Sequence, residues 1–155
     1  MVYCGGQWGK VENMSFIGEY SVTLDEKGRV GVPTKFRGEL GAGAVVTRGL
    51  DTSLFLFPLS AWDQLAQKIA ALPLGSSNSR QFSRFMLSGA MDVSLDTQGR
   101  FVIPPYLRAF AGLEREAVLV GVYNRLEIWS TAAWSEYIKH SQEQAGEIAE
   151  LIASV

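Results

Sequence analysis

Alternation between apolar and polar residues marks the first recognisable element of the chain, over residues 20–24. A period of two is typical of a half-buried β-strand. A turn is predicted at 25–28, because an Asp side chain can bond backbone amides just ahead of it and Gly permits a positive φ. Further strands are predicted at 30–32, 44–47 and 54–57, the last two as a pair.

Apolar residues spaced three and four positions apart predict helices between these strands and after them. Pro33 fits the first position of a helical turn that runs to Gly41. A longer helix is predicted to begin at Ser60, which forms a pattern resembling a capping box with Asp63. The apolar face of that helix comprises Trp62, Leu65, Ile69 and Leu72. A linker follows at 73–78. After it, a short helix is predicted with the apolar face Phe82, Phe85 and Met86.

The chain also repeats itself, since residues 20–37 return 71 positions later as residues 91–108. The shared skeleton is apolar-x-Val-x-Leu-Asp-x-x-Gly-Arg-x-x-x-Pro-x-x-x-Arg. Its fixed positions are Asp25, Gly28, Arg29, Pro33 and Arg37 in the first copy, and Asp96, Gly99, Arg100, Pro104 and Arg108 in the second. A duplicated turn with an Asp and an Arg at its ends indicates a pseudo-twofold module whose function lies in the turn.

The similarity continues beyond the turns, now with an offset of 72. Residues 54–57 align with 126–129, and Trp62 aligns with Trp134. We interpret the two tryptophans as core anchors of equivalent helices. The last helix extends beyond its counterpart, and its apolar seam either covers the body of the chain or pairs with a neighbouring subunit. That seam comprises Trp134, Ile138, Ser141, Ala145, Ile148 and Ile152.

Each repeat alone would bury too little surface for a stable core, so we expect the halves of this 155-residue chain to share one. We divide the chain into a flexible leader (1–13), a first domain (19–61), a helix with a linker (62–89), a second domain (90–133) and a C-terminal helix (134–155). Met14, just after the leader, is an alternative start.

Composition narrows the classes of function. The net charge of −2 argues mildly against nucleic-acid binding, since most such domains are basic, although local distribution matters more than the total. A single cysteine, Cys4, excludes an internal disulfide and favours a reducing cytoplasm. The apolar runs are too short to cross a bilayer, and no segment resembles a secretion signal. We therefore expect a cytoplasmic protein without a membrane partner.

Catalytic chemistry finds little support in the sequence. The one histidine, His140, lies among charged residues of the C-terminal helix, which favours a solvated role. There is no metal-ligand cluster, phosphate-binding glycine loop or nucleophile elbow. Asp25 and Asp96 lie in turns, where capping suits them better than acid–base work. We expect no enzymatic activity, metal, cofactor or small-molecule substrate.

Cations gather at the first turn instead. Lys27 and Arg29 lie at the tip of a predicted β-hairpin, and Lys35 and Arg37 follow closely. The planar fork of Arg can grip a phosphate or a guanine edge, and a two-stranded ribbon fits the major groove of B-DNA. Because Gln98 replaces the lysine in the second turn, the first turn is the stronger candidate. The remaining DNA-binding candidates are Arg100 and, more weakly, Arg108, Arg80 and Arg84.

A structural alternative stays open for the same residues. Asp and Arg four positions apart around a Gly turn can pair with each other and only hold the turn in shape. On this alternative the chain is a purely structural oligomer, and Asp25, Gly28, Asp96 and Gly99 are turn-shaping residues.

The paired Asp-x-x-x-Arg motifs, the Val-Pro-Thr-Lys-Phe-Arg that follows the first, and Phe-Ser-Arg-Phe-Met-Leu-Ser-Gly-Ala at 82–90 resemble the bacterial MraZ family over about residues 14–145. The resemblance implies two tandem SpoVT-AbrB-like domains in an α+β, swapped-hairpin β-barrel with flanking short helices and a longer C-terminal helix. It also implies ring-like homo-oligomers associated with the nucleoid. Such oligomers bind short G-rich direct repeats upstream of the division and cell-wall gene cluster and usually repress it. Arg29 would be the leading DNA contact.

Two further hypotheses accompany this resemblance. Related swapped-hairpin domains bind toxins, so an antitoxin-like role is an alternative, although the helical C-terminus disfavours a disordered toxin-binding tail. Separately, Trp8-Gly9 must be encoded as TGGGGN, and 4–6 and 11–12 permit TGGGG and TGGAG about one DNA turn to either side. Residues 1–13 could therefore be translated operator DNA.

Overall fold

Eight β-strands and five α-helices make up residues 16–152, the part of the chain that this computed structural model describes. The strands are β1 (Phe16–Thr23), β2 (Arg29–Gly31), β3 (Ala44–Arg48), β4 (Leu54–Pro58), β5 (Met91–Val93), β6 (Arg100–Val102), β7 (Glu116–Tyr123) and β8 (Leu126–Ser130). The helices are α1 (Thr34–Leu40), α2 (Leu59–Ala70), α3 (Ser77–Ser88), α4 (Pro105–Ala111) and α5 (Thr131–Ile152). The predicted mixed α+β class is confirmed. The predicted leader at 1–13 lies outside the described residues.

The helix starts differ from the sequence prediction. Pro33 and Pro58 both occupy N-cap positions, so α1 begins at Thr34 and α2 begins at Leu59. Neither helix start has a side-chain cap. Ser60 therefore lies inside the first turn of α2, and the predicted capping box with Asp63 is wrong. Asp63 instead accepts a bond from Gln67, 2.8 Å away. The fixed φ of a proline favours entry into a helix. Helix α2 therefore begins before Ser60 and Asp63 rather than being capped by them.

The two repeats interleave in one antiparallel sheet of six strands, ordered β1-β7-β8-β4-β3-β5. The predicted pair β3–β4 forms. Its outer neighbour, however, is β5 from the second repeat, and β1 from the first repeat pairs with β7 along its whole length. Neither repeat thus completes its own part of the sheet.

The short strands β2 and β6 form a separate two-stranded antiparallel pair, which we call the ribbon. Val30 lies opposite Phe101, and these are equivalent positions of the two repeats. The predicted hairpin, in which 20–24 would pair with the strand after the turn, is wrong. The turn at 25–28 joins strands of different sheets, because each short strand finds its backbone partners in the other repeat.

The central core lies between the large sheet, the ribbon and the short helices α1 and α4. Both repeats contribute to it, and neither could bury it alone. Its largest fully buried members are Phe16, Leu24, Phe36, Leu40, Leu54, Leu56, Ile103, Leu107, Leu119, Leu126 and Ile128. Phe36 packs against Phe16 and Tyr20 at ring separations of 5.2 and 5.3 Å.

Two smaller clusters cover the other face of the sheet. Leu54 and Leu56 of β4 face the central core, whereas Phe55 and Phe57 face α2, as the two-residue period of a strand requires. The predicted anchors are half-buried at these clusters: the rings of Trp62 and Phe57 are 5.9 Å apart, and those of Trp134 and Trp129 are 5.2 Å apart. Leu72, predicted on the apolar face of α2, follows the end of that helix and is exposed.

The repeats differ most at their ends. The strand β1 has eight residues and its counterpart β5 has three, because α3 occupies the preceding segment. Helix α5 has 22 residues against 12 in α2, and none of its described side chains is fully buried. None of the described helices is long and apolar enough to span a membrane.

Candidate nucleic-acid interface

The first turn (25–28) is shaped by the carboxylate of Asp25. Its Oδ1 accepts hydrogen bonds from the backbone amides of Lys27 and Arg29, both at 2.9 Å. Its Oδ2 accepts a bond from Nε of Arg29 at 2.6 Å. Gly28 completes the turn with a φ of 81°, a conformation that glycine adopts at no steric cost. Asp25 thus caps two backbone amides of this turn.

The second turn (96–99) reproduces these bonds. Oδ1 of Asp96 accepts from the amides of Gln98 and Arg100, again at 2.9 Å, and Oδ2 lies 3.1 Å from Nε of Arg100. Gly99 has a φ of 75°. The duplication in sequence is therefore a duplication of one turn, bond by bond.

These contacts keep both aspartates ionised. The backbone hydrogen bond from Arg29, with further bonds from its side chain and from the Lys27 amide, lowers the pKa of Asp25 to about 2. The backbone hydrogen bond from Arg100 likewise lowers the pKa of Asp96. A carboxylate that stays ionised and accepts several bonds suits turn-shaping rather than proton transfer.

Each turn arginine keeps its terminal nitrogens available. Arg29 and Arg100 use Nε for the aspartate, and their Nη atoms donate no hydrogen bond within residues 16–152. Their side chains are each 33% exposed. Holding the turn and contacting a ligand are therefore compatible roles for one guanidinium, because the fork offers five donors.

The ribbon presents both arginines on one face. Arg29 lies opposite Val102, and Arg100 lies opposite Gly31. The intervening residues, Val30 and Phe101, point into the core, so alternation places the arginines on the outer side. Diagonal neighbours in an antiparallel pair lie about 7 to 8 Å apart. Arg29 and Arg100 are thus diagonal neighbours on the outer face of the ribbon.

Two further arginines cross between the repeats. A Cβ atom added to Gly28 would overlap the guanidinium of Arg108, and one added to Gly99 would overlap that of Arg37. Arg37 is held there by a 2.8 Å bond from its Nε to the backbone oxygen of Val32. Each turn therefore carries its own arginine and one from the other repeat.

The chain matches the family model "MraZ protein, putative antitoxin-like" twice, over residues 15–85 and 86–151. The chain belongs to the MraZ family. It is 46% identical over 135 residues to a protein of Syntrophomonas wolfei subsp. wolfei, covering 87% of this chain and 94% of that one. It is 49% identical over 134 residues to one of Limosilactobacillus reuteri, covering 86% and 94%. Both relatives carry the name Transcriptional regulator MraZ.

The other predicted DNA-binding residues of this MraZ-family chain lie on three different elements, namely the first turn, α1 and α3. Lys27 is exposed within the first turn. Lys35 lies at the start of α1, with its Nζ 5.2 Å from the ring centre of Tyr20. Arg80 and Arg84 lie on α3, and Arg80 donates to the backbone oxygen of Leu74. Of these residues, only Lys27 belongs to the turns that flank the ribbon, whereas Arg80 and Arg84 belong to a separate helix.

Cations that are neighbours along the chain are not all neighbours in the fold. Lys27, Arg29 and Arg37 are close along the chain, yet Arg37 reaches the second turn and Arg108 takes its place at the first. The repeat alignment carried a signal, since it pairs Arg37 with Arg108. Sequence analysis also missed Val102, an apolar side chain that is 48% exposed on the outer face of the ribbon.

Metal chemistry has no support in the described residues, where no cluster of three or more His, Cys, Asp and Glu side chains could hold an ion. His140 is exposed on α5. Cys4 lies outside the described residues.

Proposed function

We propose that this protein is a transcriptional regulator, without enzymatic activity, that binds double-stranded DNA through the outer face of the ribbon and its two turns. The observation that carries the proposal is the pair of guanidinium groups at Arg29 and Arg100, fixed through Nε and available through Nη. The names of the relatives support the same class of function.

The ribbon has the dimensions and chemistry for major-groove recognition. A two-stranded β-ribbon fits the major groove, and Arg donates two bonds to O6 and N7 of guanine. Arg29 and Arg100 would read guanines, while Lys27, Lys35, Arg37 and Arg108 would contact phosphates and fix the register. We infer that the operator consists of short, G-rich direct repeats upstream of the division and cell-wall gene cluster. Binding to this operator would usually repress the cluster.

A homo-oligomer would reconcile this function with the net charge of −2. Several copies of the ribbon on one face create a local positive field, whatever the charge of the rest of the molecule. Each ribbon would bind weakly, and repeats spaced along one DNA would raise the effective concentration of the next contact. A ring of subunits in the cytoplasm, associated with the nucleoid, fits this arrangement.

The crossed strand pairs support a swapped-hairpin architecture as the framework of this site. Each repeat supplies strands to the other at β1–β7, β3–β5 and β2–β6. An antitoxin-like role has less support, because α5 is helical up to Ile152 rather than an extended tail.

The decisive test is a titration of full-length protein against DNA from upstream of its own gene, between about 50 and 200 mM salt. We expect binding that weakens steeply with salt and is lost in Arg29→Ala. The control is Lys139→Ala, which removes an exposed cation from α5 and should bind normally. Unmodified protein that fails to bind at low salt would overturn the proposal. Arg29→Ala that unfolds or disassembles would instead support the purely structural alternative.

A further inference from the structure

An apolar groove opens on the surface between α2, α3 and the turns next to β4. We call it the α2–α3 groove and define it by Leu50, Phe57, Leu65, Lys68, Phe82 and Met86. Its volume of 290 Å³ is just below the range of about 300–1,000 Å³ for small-molecule sites. Leu50 and Phe82 expose 52% and 39% of their surface there. Such a groove suits a few inserted side chains better than a cofactor.

The same molecule carries an amphipathic helix segment whose described side chains are largely exposed. Helix α5 packs on the sheet through its first turns, where Trp134 and Tyr137 contact Trp129. Beyond Ser141 every described residue is exposed. At about 1.5 Å per residue, the segment 139–152 extends roughly 20 Å. We call this segment the distal α5.

The apolar stripe of α5 continues along the distal α5. Ala145, Ile148 and Ile152 fall at the four- and three-residue spacing that begins with Trp134, and Leu151 lies beside them. Ile148 and Leu151 are 41% and 85% exposed. Side chains at such spacing are the anchors with which a helix enters an apolar groove.

Charge indicates which surface this helix fits. The distal α5 has three carboxylates, Glu143, Glu147 and Glu150, and no Lys or Arg after Lys139. The α2–α3 groove is lined by two cations, Lys68 and Arg125, and by no carboxylate. Arg125 is paired with Glu127 at 2.8 Å, whereas Lys68 forms no ion pair within the described part of the chain. Two distal α5 segments packed on each other would instead bring their carboxylates together.

We propose that the distal α5 of one subunit docks in the α2–α3 groove of a second copy of this chain. Ile148 and Leu151 enter the groove, and the carboxylates of the distal α5 face Lys68. A subunit does not fill its own groove, because one unbroken helix runs from Thr131 to Ile152 and carries the anchors outward. The contact joins two different surfaces, so it is heterologous and closes into a ring or continues as a filament.

A heterologous contact allows a complementation test without DNA. Ile148→Asp removes the anchor and keeps the groove, while Phe82→Asp spoils the groove and keeps the anchor. We expect each variant alone to have the mass of a single chain, 17.0 kDa, by light scattering after gel filtration. An equimolar mixture should form a complex of about twice that mass, because one intact contact remains possible. Unmodified protein should form larger assemblies.

Controls separate the contact from misfolding. Leu74→Asp changes an apolar residue that is 82% exposed outside the groove, and Lys139→Asp adds a negative charge to the polar face of α5. Both should assemble like the unmodified protein. If Phe82→Asp does not fold, as judged by circular dichroism, Leu50→Asp and the exposed Lys68→Glu replace it.

Five outcomes would overturn the proposal. The first four are a monomeric unmodified protein, an Ile148→Asp variant that still assembles, two monomeric variants that do not complement, and a groove variant that still forms homodimers through α5. Assembly that depends on residues 1–13, tested by their deletion, would assign the groove to that segment and would also overturn it. Since no arm involves DNA, failure here is distinguishable from failure of the proposed DNA binding.

Discussion

The guanidinium of Arg108 lies over Gly28, so closely that a Cβ at this position would overlap it. The residue that covers the first turn therefore comes from the second repeat, 80 positions further along the chain. The reciprocal contact of Arg37 over Gly99 makes the two turns mutually dependent.

Gly28→Ala should destabilise the protein for two separable reasons. The φ of 81° strains any L-residue by about 1–2 kcal/mol, and the new methyl group displaces Arg108. Gly112→Ala is the matched control, because Gly112 has a φ of 64° and open space around its Cβ position. We expect a larger loss in the free energy of unfolding, measured by urea denaturation, at Gly28. The additional variant Arg108→Ala should remove that excess, and equal losses at both glycines would contradict the overlap.

Replacing Arg29 by Lys should separate charge from geometry in DNA binding. Lys keeps the attraction to phosphate and loses the bidentate fork. If Arg29 reads a guanine, each lost pair costs about 1–3 kcal/mol, and operator preference over scrambled DNA should fall by roughly 5- to 150-fold. Fluorescence anisotropy with both DNAs measures this ratio. A ratio that Arg29→Lys leaves unchanged would assign Arg29 to phosphate contact alone.

The two turns should contribute unequally to DNA binding. Lys27 adds a cation to the first turn, where the second has Gln98. We therefore expect Arg29→Ala to weaken operator binding more than Arg100→Ala, with Lys27→Gln lying between the unmodified protein and Arg29→Ala. Titrations at one salt concentration rank the three variants. A larger effect at Arg100 would make the second turn the leading contact.

Acid should weaken the turns only at low pH. The pKa of Asp25 is lowered to about 2 in the folded chain, against about 3.9 for an ordinary aspartate. Its stabilising effect is then fully present above about pH 4 and is lost as the pH falls toward 2. Asp25→Asn should therefore narrow the difference in urea midpoint between pH 5 and pH 2.5. Adding Asp96→Asn, whose pKa is also lowered, should narrow it further, and an unchanged difference would argue against this role.

The halves should not fold separately. Cutting the chain in the exposed linker at Gly75 leaves β1 without β7 and β3 without β5. We expect each fragment to lack a cooperative thermal transition by circular dichroism and an equimolar mixture to regain one. A cooperative transition in either fragment alone would show that it has a sufficient core of its own.

Local chemistry could be predicted from the sequence, and long-range pairing could not. The Asp–Gly turns rest on bonds within five residues, so their shape follows from the local sequence around Asp25 and Gly28. The strand after the turn was assigned to the wrong partner, because an apolar pattern reports which face is buried and not which strand lies alongside. The same limit explains Arg37, whose contact with Gly99 depends on how the repeats cross.

Opposition of Val30 and Phe101 in the ribbon has a consequence for sequence change. In a symmetric dimer, the residue on the twofold axis meets its own copy, so any substitution there alters both sides at once. Joining the two copies in one chain removes that constraint. A small side chain can then oppose a large one, and each turn can acquire its own preference while the shared core stays filled.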